Sequence, residues 1–277
     1  MDQDIFGFRP IRQSETSLWS RPRSFAFAEA MERVALAESE LLQASHHLPI
    51  LVETTRQKVQ VVAGLSGRLL RHPLLDGEGR WSRPYVPLRL RCLPFTIALT
   101  PGEGDPKVTV LVSDMLLSTQ MQPEGMPIVS EDGTASQAVV ELMRLLLRAE
   151  AGNAALALAA EQLILADLLL PIGPSREGGT LWTVATERLA AVTAARAALL
   201  AKPSMLGSQL LFCLLFSRRM LHANLGTEVH RIETPETGTP QAVPAADSAN
   251  LSALNFAMDE SDLVPLDALA ANGAEST

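Results

Sequence analysis

The sequence predicts an α+β fold, in which an antiparallel, strand-rich N-terminal half packs against a helical C-terminal half. Short apolar runs separated by polar turns lie between residues 50 and 112, whereas Ala, Leu and Glu dominate residues 134–225. Strands that precede helices are typical of an α+β domain and not of a wound parallel sheet. The 277 residues, of which 47% are hydrophobic, are enough for one large core or two small ones.

Residues 1–24 are predicted to form an N-terminal arm, because they are mostly polar and carry several Arg and Pro residues. Phe6, Phe8 and Trp19 in this arm belong to a set of only twelve aromatic residues in the chain. An arm with that many aromatic side chains is expected to pack against something. We expect it to lie along its own domain, and contact with another subunit or a partner is the alternative.

One helix and two hairpins are predicted next. Residues 25–45 are rich in Ala, Glu and Leu and contain no Gly or Pro, which favours a helix. The apolar runs 50–52 and 59–63 flank a polar turn, and the runs 95–99 and 108–112 flank a second one. Each pair of runs therefore predicts an antiparallel hairpin.

A turn and an ambiguous segment lie between the two hairpins. Residues 76–81 predict a turn, because Asp-Gly and a second glycine supply the positive φ values that a tight reversal needs. Residues 85–95 alternate in polarity as a half-buried strand would. They also fit one short helix between prolines, with Pro87 at its first position, so both alternatives stay open.

From residue 134 onwards the sequence is mainly helical. A break is expected at Gly152-Asn153, and Thr134 or Ser136 can cap the first helix. Beyond this helical region, which ends at residue 170, we expect a loop, a short strand and two further helices. These four elements are predicted at residues 171–179, 181–184, 187–201 and 205–225.

The net charge of −8 is concentrated in the C-terminal tail, residues 226–277. Nine of the 31 acidic residues and one of the 23 basic ones lie there, which leaves 22 of each in the rest of the chain. A neutral body without a basic stripe argues against a nucleic-acid partner. The tail is rich in Pro, Thr, Glu, Ala and Ser, a composition typical of disorder, so the predicted domain spans residues 25–225.

Apolar residues at helical spacing alternate with acidic ones in one part of the tail, residues 251–269. This pattern indicates a short motif that folds into a groove on a partner protein. The alternative is a solvated tail whose leucine spacing is accidental, or one that docks on its own domain. The candidate motif residues are Leu251, Leu254, Phe256, Met258, Leu263, Leu266 and Leu269.

Two strongly apolar segments are interpreted as core helices and not as membrane spans. Residues 153–170 contain Glu161 and Asp167, and residues 205–216 number about 12 where a span needs roughly 20. The first residues do not resemble a secretory leader, and the spacing of the two cysteines does not indicate a disulfide. The sequence therefore predicts a cytoplasmic protein.

Standard catalytic and metal-binding patterns are missing from the sequence. The five histidines lack the i, i+4 spacing that aims two imidazoles at one metal, so no metal site is expected. Neither a phosphate-binding glycine loop nor a nucleophile elbow occurs, so no cofactor is expected. Cys213 lies in an apolar run, where burial raises the pKa of a thiol, so it is predicted to be a core residue.

A cluster of arginine and aromatic residues is the remaining candidate site. If the chain is extended from Tyr85 to Arg91, then Tyr85, Arg89 and Arg91 share a face that can bind a peptide or a carboxylate. The alternative is a structural hairpin, with Trp81 and Tyr85 packed as a corner of the core. The candidate partner-binding residues are Arg80, Trp81, Tyr85, Arg89, Arg91 and Phe95.

Several of these residues carry a resemblance to the bacterial SapC family, which covers roughly residues 25–225. The matching motifs are Phe25-Ala26-Phe27-Ala28, the segment 40–50 that ends in His-Leu-Pro-Ile, residues 76–81, Tyr85-Val86-Pro87, Leu90-Arg91, Pro94-Phe95 and Phe216-Ser217. The family is named for a protein linked to surface-layer export, and its relatives occur beside outer-membrane receptors and tailoring oxygenases or halogenases. The resemblance implies no catalytic residue.

The residues and the resemblance together favour a non-enzymatic accessory or adaptor protein that acts by protein–protein binding. It would serve a surface-layer, secretion or peptide-modification system. One alternative is an enzyme that modifies peptides or amino acids, with the Arg80–Phe95 face as its substrate site. Another is a structural subunit of a homo-oligomer. The adaptor interpretation leads because no set of residues assembles a reactive centre.

Overall fold

Two antiparallel sheets pack against one long helix. The computed structural model describes residues 6–100, 106–120, 125–176, 178–200, 204–222 and 225. Antiparallel strands fill most of the N-terminal half and helices lie mainly in the C-terminal half, so the predicted α+β class is confirmed.

The described strands and helices are numbered in chain order. The strands are β1 (Phe8–Pro10), β2 (Leu18–Trp19), β3 (Arg33–Ala35), β4 (Ile50–Thr54), β5 (Val59–Gly64), β6 (Phe95–Thr100), β7 (Lys107–Ser113), β8 (Met126–Pro127), β9 (Leu169–Pro174) and β10 (Thr180–Val184). The α-helices are α1 (Leu41–His47), α2 (Leu88–Arg91), α3 (Asp114–Gln120), α4 (Gln137–Leu165), α5 (Thr186–Leu189), α6 (Ala194–Leu200) and α7 (Leu206–Ser217). Short 3₁₀ turns occur at Ala26–Ala30, Glu38–Glu40 and Arg218–Met220.

The larger sheet has five antiparallel strands in the order β3-β5-β4-β10-β9. Its centre is the first predicted hairpin, in which Ile50 of β4 pairs with Ala63 of β5, so that prediction is confirmed. Side chains alternate between its two faces. Ile50 and Ala63 enter the main core, whereas Leu51 and Val62 join a smaller cluster on the opposite face.

The smaller sheet has three antiparallel strands in the order β1-β7-β6. Strands β6 and β7 form the second predicted hairpin, which is also confirmed. The N-terminal arm supplies the third strand, β1, and its Phe6 and Trp19 side chains are each only 2% exposed. The Trp19 ring packs edge-on against Phe95 with 5.0 Å between ring centres. Residues 6–19 therefore lie along their own domain.

Helix α4 connects the cores of the two sheets. Ser136 caps it, because the Ser136 hydroxyl accepts a hydrogen bond from the Val139 backbone N–H at 3.4 Å. The N-terminal part of α4 buries Leu142 and Leu146 in the core of the three-stranded sheet. Its C-terminal part buries apolar residues, among them Leu163, in the core of the five-stranded sheet.

The break predicted at Gly152-Asn153 is wrong, because α4 continues through both residues. Gly152 lies where the helix meets the turn at Glu38–Glu40, and a Cβ there would sit 2.9 Å from the Glu38 backbone nitrogen. The Asn153 side-chain amide donates a hydrogen bond to the Leu36 carbonyl at 2.9 Å. Two residues that weaken an isolated helix are therefore the ones that let this helix approach its neighbour.

The single helix predicted at residues 25–45 is also wrong. The structure has two 3₁₀ turns, strand β3 and helix α1 in this region. All residues from Met31 to Ala37 are buried, which an amphipathic surface helix does not allow. Backbone pairing of Arg33 with Gly64 at the edge of the five-stranded sheet outweighs the helix propensity of the segment.

Several shorter predictions are settled by tertiary pairing. Within residues 85–95 the helical alternative holds for Leu88–Arg91, which form α2 with Pro87 as the N-cap, and Phe95 begins β6. The turn at residues 76–81 is confirmed, because the Asp76 N–H donates to the Arg80 carbonyl at 3.0 Å. The short strand predicted at 181–184 is confirmed as β10. Residues 171–174 of the predicted loop form part of the edge strand β9, a position that tolerates proline.

The last two predicted helices are shorter than expected. The region 187–201 holds α5 and α6 with a gap between them, and α7 ends at Ser217. A 3₁₀ turn follows α7, after which Leu221 forms an antiparallel bridge with Leu70. That bridge takes the backbone away from the helix axis and so ends the helical region before residue 225.

Candidate functional site

The six residues of the predicted Arg80–Phe95 face do not share a strand face. Helix α2 includes Arg89 and Arg91, and residues two positions apart lie on different sides of a helix. Tyr85, Arg89 and Phe95 are buried, and the Arg89 guanidinium forms an ion pair with Glu150 of helix α4. Each of these three side chains therefore has partners inside the fold.

Tyr85 is linked to the start of helix α1 through a buried carboxylate. Its hydroxyl donates a hydrogen bond to Glu40. The same carboxylate accepts hydrogen bonds from the backbone N–H groups of Leu88, at 2.8 Å, and Ala37, at 2.9 Å. Burial, followed by the bond to Glu40, raises the pKa of Tyr85.

Trp81 packs beside Tyr85 as a corner of the core. The Trp81 indole N–H donates to the Tyr85 carbonyl at 2.7 Å, and the rings of Trp81 and Phe25 lie 5.6 Å apart. Arg80 is exposed and pairs with Asp76 and Glu78 of its own turn. Arg91 is exposed, with its guanidinium carbon 5.7 Å from the centre of the Tyr85 ring. A binding role for these residues stays a prediction.

The predicted tail motif at residues 251–269 lies outside the described residues. Its role as a partner-binding segment therefore also stays a prediction.

A cluster of buried charged and polar side chains lies on the face of the five-stranded sheet that also carries Leu51 and Val62. The Arg33 guanidinium donates to the Glu53 carboxylate at 2.6 Å, and the Gln60 side chain donates to the same oxygen at 2.5 Å. Glu32 lies beside them and pairs with Arg68. This cluster was not predicted from the sequence, although the polar residues Glu53 and Gln60 near the ends of two apolar runs were a signal for it.

An exposed apolar surface is formed by two packed helices, α1 and α7. Leu42 is 69% exposed on α1, whereas Phe212 and Phe216 are 67% and 39% exposed on α7. The His46 ring, one turn after Leu42, lies 4.8 Å from the Phe216 ring and so connects the two helices. We call this surface the α1/α7 face, and its residues are Leu42, Met205, Phe212, Leu215 and Phe216.

Residues 205–216 were predicted to form a core helix, and this prediction is correct for only one side of α7. Leu210, Cys213 and Leu214 are buried, as the core interpretation predicts. Burial raises the pKa of the Cys213 thiol, as expected. The signal that was overlooked is the lack of charge around the whole helix, because a surface helix normally carries a polar outer side.

A depression lined by basic side chains lies next to the α1/α7 face. It has a volume of about 220 Å³, and its charged or titratable lining residues are His47, Arg71, His72, Arg83 and Arg219. We call it the basic depression. Its remaining lining residues, Leu70 and Met220, are apolar. The Arg219 guanidinium carbon lies 3.9 Å from the centre of the Phe216 ring, so the depression and the face are contiguous.

The basic depression has a positive electrostatic environment. Burial, then the charges of His46 and Arg83, lower the pKa of His47, because both effects disfavour its protonated form. Within the described part of the chain, the buried Nε of Arg83 has no hydrogen-bond partner. The arrangement suits recognition of a negatively charged group.

The fold and its exposed surfaces define an α+β protein with an exposed apolar face and a basic depression. A family model described as SapC matches residues 15–223. The chain therefore belongs to the SapC family, and the resemblance noted in the sequence is confirmed. Comparisons with curated proteins and with solved structures gave no match.

The described residues lack two features that would indicate a membrane-spanning or metal-binding site. None of their helices has the length and apolar character needed to cross a membrane. In the same residues, no group of three or more His, Cys, Asp or Glu side chains is arranged to hold a metal ion.

Proposed function

We propose that this protein is a non-enzymatic accessory protein, or adaptor, that works in the cytoplasm by binding a partner protein through the α1/α7 face. The observation that carries the proposal is the set of large apolar side chains that two packed helices leave exposed. The protein would serve a surface-layer, secretion or peptide-modification system, which is what the resemblance to the SapC family implies.

The α1/α7 face has the composition of a binding hot spot. Single exposed apolar residues are common on protein surfaces, but contiguous ones are associated with interaction sites. Burying a Phe or Leu side chain gains about 1.5–3 kcal/mol, so Leu42, Phe212 and Phe216 together can supply several kcal/mol of binding energy. Aromatic side chains such as Phe212 are enriched among interface residues.

The partner is an amphipathic segment of another protein that carries apolar and acidic side chains. Its apolar side chains would cover the α1/α7 face. Its acidic side chains would meet His46 and Arg219, which border Phe216. Complementary charges at an interface rim raise the association rate and select between partners.

A protein partner fits this surface better than a lipid bilayer does. Helices that lie on anionic membranes carry a polar face rich in Lys and Arg. The side of α7 opposite Phe212 instead contains Leu210 and Leu214, which are buried in the protein core. Outside residues 226–277 the chain has equal numbers of acidic and basic residues, so it lacks the broad positive field that attracts a bilayer.

The proposal is tested by two matched substitutions in the full-length chain, Phe212→Ser on α7 and Leu145→Ser on α4. Leu145 is 39% exposed and lies in the part of α4 that packs on the three-stranded sheet. Proteins that co-purify from the native host are identified by mass spectrometry. The leading candidate is then purified, and its affinity for each variant is measured by calorimetry at two salt concentrations.

We expect Phe212→Ser to weaken the affinity at least ~10-fold, whereas Leu145→Ser leaves it unchanged. The affinity of the wild-type chain should also fall at higher salt, because charges at the rim contribute. Equal affinity in both variants would contradict the proposal. Binding of the wild-type chain only to anionic lipid vesicles, or only to a second copy of itself, would do the same.

The predicted tail motif is tested in the same assay with Leu254→Asp and Met258→Asp in the full-length chain. If the α1/α7 face carries the binding, this double variant keeps the partner. Loss of the partner in the tail variant, combined with normal binding by Phe212→Ser, would assign the contact to residues 251–269 instead.

A further inference from the structure

We propose that the basic depression is a binding site for the phosphate group of a small molecule, either inorganic phosphate or a small phosphate monoester. It differs from the proposed function in its ligand, which is a small anion and not a protein. The proposal stands on the convergence of basic side chains, on their lack of acidic partners in the described chain, and on the size of the depression.

Four separate parts of the chain meet at the depression. His47 ends helix α1, Arg71 and His72 follow the last strand of the first hairpin, Arg83 follows the turn at 76–81, and Arg219 lies in the 3₁₀ turn after α7.

Backbone hydrogen bonds hold two of these parts together. The Arg71 N–H donates to the Met220 carbonyl at 2.9 Å, and the His222 N–H donates to the Leu69 carbonyl at 2.9 Å. The lining is therefore preorganised by backbone contacts and not by a ligand, which lowers the entropic cost of binding.

The charges of the depression are not balanced within the described chain. No Asp or Glu lines it, and none of its five basic residues forms an ion pair with a described carboxylate. Like charges in close proximity repel, so this arrangement costs folding free energy. The depression is not alone in this, since exposed arginines such as Arg56 also form no ion pair with a described carboxylate, but it is the place where several such groups meet. The arginines that pair with a carboxylate are Arg9, Arg33, Arg68, Arg80, Arg89 and Arg188.

Arg83 provides a second, independent observation. Its side chain is half-buried, and its buried Nε has no hydrogen-bond partner among the described residues. A buried donor without a partner costs free energy, so such groups are rare and call for a specific explanation. Because Arg83 lines the depression, an anion bound to its guanidinium would give this side chain an acceptor that the described residues do not supply.

The number of charges and the volume together select the ligand class. Three guanidinium groups favour a dianion over a single carboxylate, and the two imidazoles can add hydrogen bonds. A phosphate monoester is largely dianionic at neutral pH. The volume of about 220 Å³ is smaller than the roughly 300–1,000 Å³ of pockets that enclose whole drug-sized ligands. The depression therefore fits one phosphate group with a small organic substituent.

The test is calorimetric titration of the full-length chain at constant ionic strength, with inorganic phosphate in one arm and glycerol phosphate in the other. We expect saturable binding in at least one arm, and the arm with the higher affinity identifies the source of the phosphate group. Arg83→Gln and Arg219→Gln should each weaken binding at least ~10-fold, because each removes hydrogen bonds to a charged ligand.

The matched control is Arg56→Gln, which changes an exposed arginine in the turn between β4 and β5 and should leave the affinity unchanged. If Arg83→Gln does not fold, Arg219→Gln and His72→Gln decide the result, because both residues are exposed. The absence of saturable binding in both arms would overturn the proposal. Unchanged affinity in the depression variants would also overturn it.

Phe212→Ser separates this inference from the proposed function. It should leave phosphate affinity unchanged, because Phe212 does not line the depression. Loss of phosphate binding can therefore be distinguished from loss of partner binding, because the two are measured separately on the same variants.

Discussion

The hydroxyl of Tyr85 donates a hydrogen bond to the carboxylate of Glu40, which lies 45 residues earlier in the chain. Both residues are buried. The carboxylate also accepts two backbone hydrogen bonds, so it joins the start of helix α1 to the segment around helix α2. The segment around Tyr85, which carries part of the family resemblance, is thus anchored in the core by a polar contact, and this contact can be measured directly.

The ionisation of Tyr85 is predicted to occur well above the ordinary tyrosine pKa of about 10. The chain contains one tyrosine, so near-ultraviolet absorbance during an alkaline titration reports Tyr85 alone. Burial and the neighbouring Glu40 raise the pKa of Tyr85 in the folded state. Its contribution to stability is therefore complete below the unfolded pKa and is lost as the pH rises through the folded pKa.

A matched variant separates the two causes of this shift. Glu40→Gln removes the negative charge and keeps a hydrogen-bond acceptor, so the pKa of Tyr85 should move back towards its ordinary value. Ionisation of the folded wild-type chain near pH 10 would contradict the assigned environment.

The buried pair Arg33–Glu53 is predicted to be sensitive to loss of one partner. Glu53→Ala should lower the free energy of unfolding by about 3–5 kcal/mol, because it removes the carboxylate that the buried Arg33 guanidinium contacts at 2.6 Å, while Glu32 lies 3.9 Å away. The double change Arg33→Met with Glu53→Leu should recover much of that loss. Urea denaturation monitored by circular dichroism measures both effects.

An exposed ion pair provides the control for this prediction. Arg188 pairs with Asp167 in a solvent-exposed position. Asp167→Asn should change the free energy of unfolding by less than about 1 kcal/mol, since exposed pairs contribute little and Asn tolerates the positive φ of this residue. A Glu53→Ala variant as stable as Asp167→Asn would show that the buried pair has no special role.

Gly152→Ala is predicted to destabilise the protein, although alanine is the better helix former. In an open helix this change gains about 1 kcal/mol. Here the new Cβ would lie 2.9 Å from the Glu38 backbone nitrogen, so α4 must move away from the turn at Glu38–Glu40. Thermal unfolding measures the sign of the effect, and a melting temperature above that of the wild-type chain would contradict the close packing.

Local sequence predicted the elements whose structure depends on nearby residues. Both hairpins followed from apolar runs around polar turns, and the turn at 76–81 followed from its glycines. Strand β3 could not be predicted from its own residues, because it forms by pairing with β5, which lies later in the chain. Gly152-Asn153 was misinterpreted for the same reason, since its packing partner lies more than 100 residues earlier.

The exposed surfaces were harder to predict than the fold. The apolar character of α7 was visible in the sequence, but which side faces solvent depends on how it packs against α1 and α4. The basic depression brings together side chains from four separate segments, and no local spacing marks it. The Arg80–Phe95 cluster was conspicuous in sequence, yet half of its side chains are buried inside the protein.

Both cysteine thiols are predicted to be unreactive in the folded protein. Cys92 and Cys213 are buried, and burial raises the pKa of Cys92 to about 11 and that of Cys213 above its ordinary value. The reactive thiolate is therefore scarce at neutral pH. A colorimetric thiol assay should detect neither cysteine in the native chain and both after denaturation. Rapid labelling of the native chain would contradict this burial.

Photo-crosslinking in the native host is the decisive measurement for the α1/α7 face. A photoreactive phenylalanine analogue replaces Phe212 in one full-length variant and Leu145 in the control variant. We predict a light-dependent adduct with a second protein at position 212 and not at 145, mapped by mass spectrometry to an apolar and acidic segment. No adduct at 212, identical adducts at both positions, or adducts only between copies of this chain would contradict the proposed adaptor function.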